Sequence, residues 1–236
     1  MRYTREDNYQ GLFMNILSYV RERPFSIMAL ANIIGDVSFV GFAFQAEGFV
    51  SLPKLGGATF TIFAHVLLLA FANEQSQQIA NESGVLPRFV LGARGAAQRF
   101  TAYLPASFRT FVGKKPVGVA FGMLGLNGAG LLLDAWLTPN PSNWGMHTAQ
   151  IVFGTLVIFG TSSFCIADFT KSQSRADWLL RVGAQIFTVC TFGNVLLAIT
   201  SRNPFVALSI VSYTVFNIAT FYAKLTKATP ECLAIP

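Results

Sequence analysis

Six apolar stretches separated by short polar segments set the pattern of this chain, at roughly 25–46, 57–73, 116–137, 148–167, 179–200 and 204–223. Each meets or approaches the ~20 residues with which a helix crosses the hydrocarbon core of a bilayer. The second stretch is the shortest and carries His65, and the fifth holds Arg181 near its start, where a long side chain can reach the headgroups. Pro24, Pro116 and Pro204 stand at or beside the starts of three stretches, where the missing N–H costs nothing. The expected fold is therefore all-α, a polytopic membrane bundle of about six transmembrane helices in three hairpins.

Two polar-flanked segments predict helices lying along the membrane surface. In residues 8–23, Leu12, Phe13, Ile16, Leu17 and Val20 share one helical face, with Thr4 and Asp7 at capping-box spacing nearby. In 88–111, Arg88, Arg94, Arg99 and Arg109 alternate with Phe89, Phe100, Tyr103, Phe108 and Phe111. Such a mixture can stack on RNA bases, but beside a bilayer an interfacial helix is the preferred reading. The chain thus divides into an N-terminal amphipathic segment (1–23), a first hairpin (24–73), a basic loop (74–115), a second hairpin (116–168), a third hairpin (169–224) and a tail (225–236).

Composition supports the membrane reading. Of 236 residues, 53% are hydrophobic and only 12% charged, about half the charge of a soluble domain. The net charge of +6 would fit nucleic acid if it formed one patch. Instead the basic residues fall in the gaps between apolar runs, so nucleic acid is not expected as a partner. Fifteen of the 17 Lys and Arg lie on one side of the predicted membrane, and only Lys54 and Arg202 on the other. By the positive-inside rule both termini are cytoplasmic, and in a bacterial host the chain sits in the inner membrane. The charged residues before position 24 leave no cleavable signal peptide, so the first apolar run is expected to act as an uncleaved anchor. Cys165, Cys190 and Cys232 are odd in number and lack metal-ligand spacing; they read as packing residues.

The chemistry is concentrated near the predicted midplane. Asp36 lies 12 residues past Pro24, roughly 18 Å along the helix, where an ionisable side chain is a functional-site hypothesis by default. His65 is expected at a similar height on the returning helix, and Asn127 and Asn194 at comparable depth on the third and fifth helices, with Thr155 and Ser212 completing the layer. Asp36, His65, Asn127 and Asn194 are the candidate substrate- or ion-binding residues. The competing reading is that these polar groups only hold helices together. The odd-numbered helices carry them at matching depth, which raises a threefold hairpin repeat. Gly118 and Gly122 form a GxxxG pair and Gly125 follows, marking the third helix for close packing, within the chain or against a partner.

No nucleotide-binding, hydrolase or metal motif is present, so an enzyme acting alone is disfavoured and no cofactor or metal is assigned. His147 and His65 are the only histidines, and with His65 expected roughly 12 Å deeper one haem does not bridge them. Two readings remain. One is a small transporter or channel-like protein conducting through the midplane belt. The other is a non-catalytic structural or assembly subunit of a larger membrane complex. The lipid bilayer is the expected partner, with other membrane subunits or further copies of this chain.

Overall fold

A computed structural model describes residues 16–47, 52–72, 85–137, 144–201 and 204–225. The Thr4–Asp7 cap, most of the predicted outer turns, Cys232 and the tail beyond 225 lie outside the described residues, as does the side chain of Asn194. Every regular element among the described residues is helical. A short α1 covers residues 16–22. It is followed by α2 (Pro24–Glu47), α3 (Leu52–Phe71), α4 (Val85–Thr101), α5 (Ala106–Lys114), α6 (Pro116–Leu137), α7 (Trp144–Phe169), α8 (Gln173–Ser201) and α9 (Pro204–Tyr222). Pro24, Pro116 and Pro204 are each the first residue of a helix, the position that suits a fixed φ and no N–H.

Three helical segments are long and apolar enough to cross a membrane: Pro116–Leu137, Gln150–Phe169 and Pro204–Tyr222. Shorter apolar segments occupy Pro24–Ser38 and Leu55–Phe71. These spans are compatible with a membrane protein. So is the outer surface, where Phe44, Phe60, Leu126, Phe159, Phe192 and Val211, one on each long helix, are all exposed; large apolar side chains exposed on every helix suit lipid better than water. The hydroxyls behave accordingly. Ser38, Thr59, Thr155, Ser163, Thr188 and Thr191 each donate to the carbonyl four residues earlier in their own helix, which satisfies them without water.

The six long helices form a closed ring. Neighbours follow chain order, α2 against α3, α3 against α6, α6 against α7, α7 against α8 and α8 against α9, and α9 returns to α2. Long-range hydrogen bonds tie up one end of this ring, called here the basic end. Arg94 and Gln98 of α4 donate to the Ala72 and Ala70 carbonyls at the close of α3 (2.8 and 3.4 Å), a basic cap on orphan carbonyls. The Asp168 carboxylate, at the end of α7, accepts the Gly118 backbone N–H in the first turn of α6 at 2.8 Å, complementing that helix's positive pole. Lys115 donates to the Asp168 carbonyl (2.7 Å), and Gln173 of α8 donates to the Leu225 carbonyl beyond α9 (3.0 Å). At the opposite end Gln150 joins α7 to α6 through the Leu131 carbonyl and the Asp134 carboxylate (3.0 and 2.7 Å).

The tightest seam is α6 on α7. A Cβ at Gly128 would lie 2.8 Å from the Gly154 carbonyl oxygen, and one at Gly154 would lie 3.0 Å from the Gly128 oxygen, so the backbones touch where these glycines cross. Gly118 also faces α7, against the Phe169 ring, and Gly125 meets Thr161. Gly122 has only the Cys165 sulfur, 3.6 Å from where a Cβ would stand. The glycines of the third long helix therefore pack mainly inside the chain. Gly128→Ala should destabilise the solubilised protein by about 1–3 kcal/mol, the usual range for overpacking, while Gly122→Ala should change it by no more than a few tenths. Thermal unfolding of the two variants in detergent tests this; equal melting temperatures would contradict the assigned crossing point.

Candidate functional site

Four phenylalanines fill the axis of the ring toward the basic end. Phe121 of α6 stacks on Phe164 of α7 with ring centroids 4.4 Å apart, and Phe187 of α8 meets Phe216 of α9 edge-on at 5.2 Å. Phe164 also approaches Phe187 (5.9 Å), and Phe121 approaches Phe216 (6.5 Å). Gly183 makes this possible, since a Cβ there would stand 2.6 Å from the Phe164 ring. The residues lie five or six positions in from their helices' basic ends, except on the longer α8.

On the other side of this aromatic plug is a cavity of about 50 Å³. Asn32 and Asp36 of α2, Asn127 of α6, Val157 of α7, Cys190 of α8 and Tyr213 of α9 contribute to its wall, with Phe187 and Phe216 of the plug. It has room for a few waters at most.

Asp36 is 4% exposed. Its Oδ1 accepts the Tyr213 hydroxyl at 3.2 Å, and its Oδ2 is buried with no hydrogen-bond partner among the described residues. The helix holding Tyr213 comes close because Gly35 has no side chain: a Cβ there would press on the Tyr213 ring at 3.3 Å. Ser209 of the same helix donates to the Gly35 carbonyl (3.2 Å), so α2 and α9 are pinned on both sides of the carboxylate.

His65 is buried one helical turn nearer the basic end. Its Nδ1 faces the Thr61 carbonyl at 2.7 Å, and its Nε2 lies 3.0 Å from the Asn32 side-chain nitrogen. A carbonyl only accepts, so Nδ1 donates and Nε2 accepts from Asn32; the two bonds fit the neutral Nδ1–H tautomer. The ring also meets Phe216 edge-on at 6.4 Å. His65 thus adjoins the plug and not the cavity wall, and it reaches the Asp36 site only through Asn32. Its helix begins at Leu52 and not at 57, which puts His65 13 residues, about 20 Å, from the far end.

Asn127 lines the cavity, and Gly57 on α3 leaves room for its amide. Asn194 lies on α8, with its side chain outside the described residues. Thr155 uses its hydroxyl on Ile151, and neither it nor Ser212 appears in the cavity wall. His147 stands in the first turn of α7, at the end opposite the plug. Asn32 and Tyr213 were not anticipated. Asn32 precedes Asp36 by four residues, so it shares its helical face and was open to inference; nothing in the sequence marked Tyr213. No cluster of three or more His, Cys, Asp or Glu side chains occurs among the described residues.

No protein family, curated protein or solved structure matches the chain, so its own geometry carries the functional argument. Asn32→Leu removes the donor to His65 Nε2 and leaves a buried acceptor unpaired, with an expected loss of about 1–3 kcal/mol. Asn32→Leu combined with His65→Leu should recover part of that loss. A double-mutant cycle on thermal unfolding measures the coupling, and additive effects would show that the bond contributes nothing.

Proposed function

We propose that this chain is a small multi-pass transporter or channel-like protein that binds a monovalent cation or a proton at Asp36. The observation that carries the reading is the Asp36 carboxylate itself. It is buried inside a closed helical ring, it borders a cavity, and it has one hydrogen bond and one unpartnered oxygen. A carboxylate so isolated is stable only with a proton or cation on it, and one placed between membrane helices marks ion and proton pathways. Asn32 and Asn127 add two polar side chains to the same wall.

In this reading all six long helices cross the membrane. The basic end is cytoplasmic, because in this topology 15 of the 17 Lys and Arg fall on that side, six of them in 74–115. A bacterial host would place the chain in the inner membrane. His65 is a positioning residue, orienting Asn32 from behind.

A second reading, that of a non-catalytic membrane subunit, draws on one feature. On the outer surface between α6 and α7, Gly122, Gly125, Ser162, Cys165 and Ile166 border a notch of about 140 Å³, a shape into which a bulky side chain of another helix fits.

Proteoliposomes holding the purified chain, loaded with imposed H⁺, Na⁺ or K⁺ gradients, separate the two. Asp36→Asn, of nearly equal size, should abolish flux by at least tenfold while insertion and melting temperature stay near wild type. Flux unchanged in Asp36→Asn would refute the transport reading. Wild-type vesicles tight to all three ions would favour the subunit reading.

A further inference from the structure

Arg23 is the most deeply buried arginine of the described residues, 2% exposed. It stands between α1 and α2, and its Nε and Nη1 are buried without a hydrogen-bond partner among the described residues. Its N–H donates to the Tyr19 carbonyl of α1 and its carbonyl accepts the Ile27 N–H of α2, so the poles of the two helices act on it in opposite senses. A buried guanidinium with no anion beside it among the described residues is destabilising.

A second arginine presents the same unmet need. Arg94 of α4 donates through Nη2 to the Ala72 carbonyl, but its Nη1 is buried with no partner among the described residues. The two arginines belong to the same end and the same height of the ring. The Asn32–His65 bond fixes α2 and α3 side by side. Arg23 lies nine residues from Asn32 and Ala72 seven from His65, about 14 and 10 Å along antiparallel helices. The two positions are therefore within about 4 Å of one level, and α4 packs against both α2 and α3. Together the three free nitrogens carry five N–H donors, more than one carboxylate would satisfy.

We infer that Arg23 and Arg94 form a phosphate-binding site at the basic end of the first hairpin, occupied by the headgroup of an anionic phospholipid. A phosphate diester has several acceptor oxygens and a charge that offsets the buried cation. Basic pockets between membrane helices at the cytoplasmic side take such headgroups. The lipid source follows from the surroundings and rests on the membrane reading above. Exposed Phe89, Phe100, Tyr103 and Phe111 stand on α4, α5 and their junction, among the exposed Arg88, Arg99 and Arg109. That combination fits the headgroup layer.

The test is thermal unfolding of the full chain in neutral detergent, titrated separately with phosphatidylglycerol, phosphatidylcholine and inorganic phosphate. Phosphatidylglycerol at tenfold excess over its Kd should raise the melting temperature by about 3–6 °C, and phosphatidylcholine should not. Arg23→Met keeps the length of the side chain and removes the charge. It should melt higher than wild type in the absence of anion and lose the phosphatidylglycerol shift. If Arg23→Met does not fold, native mass spectrometry of the wild type replaces it, with retained phosphatidylglycerol and no retained phosphatidylcholine as the expected result. Equal response to the two lipids, or an undiminished shift in Arg23→Met, overturns the site. A shift with inorganic phosphate alone supports the site and assigns it to free phosphate. If the chain also stays out of bilayers, the membrane reading falls and the anion site stands.

Discussion

The seam between the first and last long helices is the contact on which the architecture depends. Five of the six neighbour pairs in the ring follow chain order, but α2 meets α9 only because the ring closes. In lipid there is little hydrophobic drive to bring apolar helices together, so close packing and interhelical hydrogen bonds must do it. Gly35 lets the Tyr213 ring approach, Ser209 donates to the Gly35 carbonyl and Tyr213 donates to Asp36. Without this seam the Asp36 carboxylate would lose its one donor and turn toward hydrocarbon, at a cost on the order of 3 kcal/mol on insertion scales. The same carboxylate is therefore an element of closure and part of the cavity wall.

Closure creates an axis, and the two sides of that axis differ. Toward the basic end the axis is filled by Phe121, Phe164, Phe187 and Phe216, with His65 against their edge. Beyond them is the cavity at Asp36. The basic end is also where helix termini are capped by groups from other helices, through Asp168, Arg94, Gln98 and Gln173. Unsatisfied terminal carbonyls and N–H groups at a membrane boundary need such partners. The caps fix the ends of the hairpins relative to one another, and the plug inherits its geometry from them.

Much of this was legible in the sequence, and the remainder was not for a definite reason. Apolar run length places both ends of α2, α6 and α9 to within a residue, while α3, α7 and α8 begin four to six residues earlier than their apolar runs. Proline at the first turn marks three starts, and Asp36 stands out because a buried acid is rare. Rotation about each helix axis is another matter. Helices such as α2 and α6 are apolar on every side, so periodicity does not say which side faces inward. That is why the four plug phenylalanines could not be told from the 23 in the chain, and why Tyr213 gave no signal. Asn194 was read from depth alone, and its side chain lies outside the described residues. His65 lies at the level of Asn32, one turn from Asp36, and its helix extends farther outward than its apolar run, through Leu52–Gly56, where Pro53 falls in a first turn that tolerates proline.

On the transport reading, size bounds what the Asp36 site holds: a cavity of about 50 Å³ is far smaller than the several-hundred-Å³ pockets that take sugars or amino acids and suits ions, protons and water. Any such species reaching the basic end must pass the aromatic plug, so on the transport reading the rings have to part. Phe121 and Phe164 belong to α6 and α7, whose backbones touch at Gly128 and Gly154. Phe187 and Phe216 belong to α8 and α9 and meet edge-on at 5.2 Å. On the transport reading a passage between cavity and basic end would open at this edge contact, with the α6–α7 pair as the fixed wall.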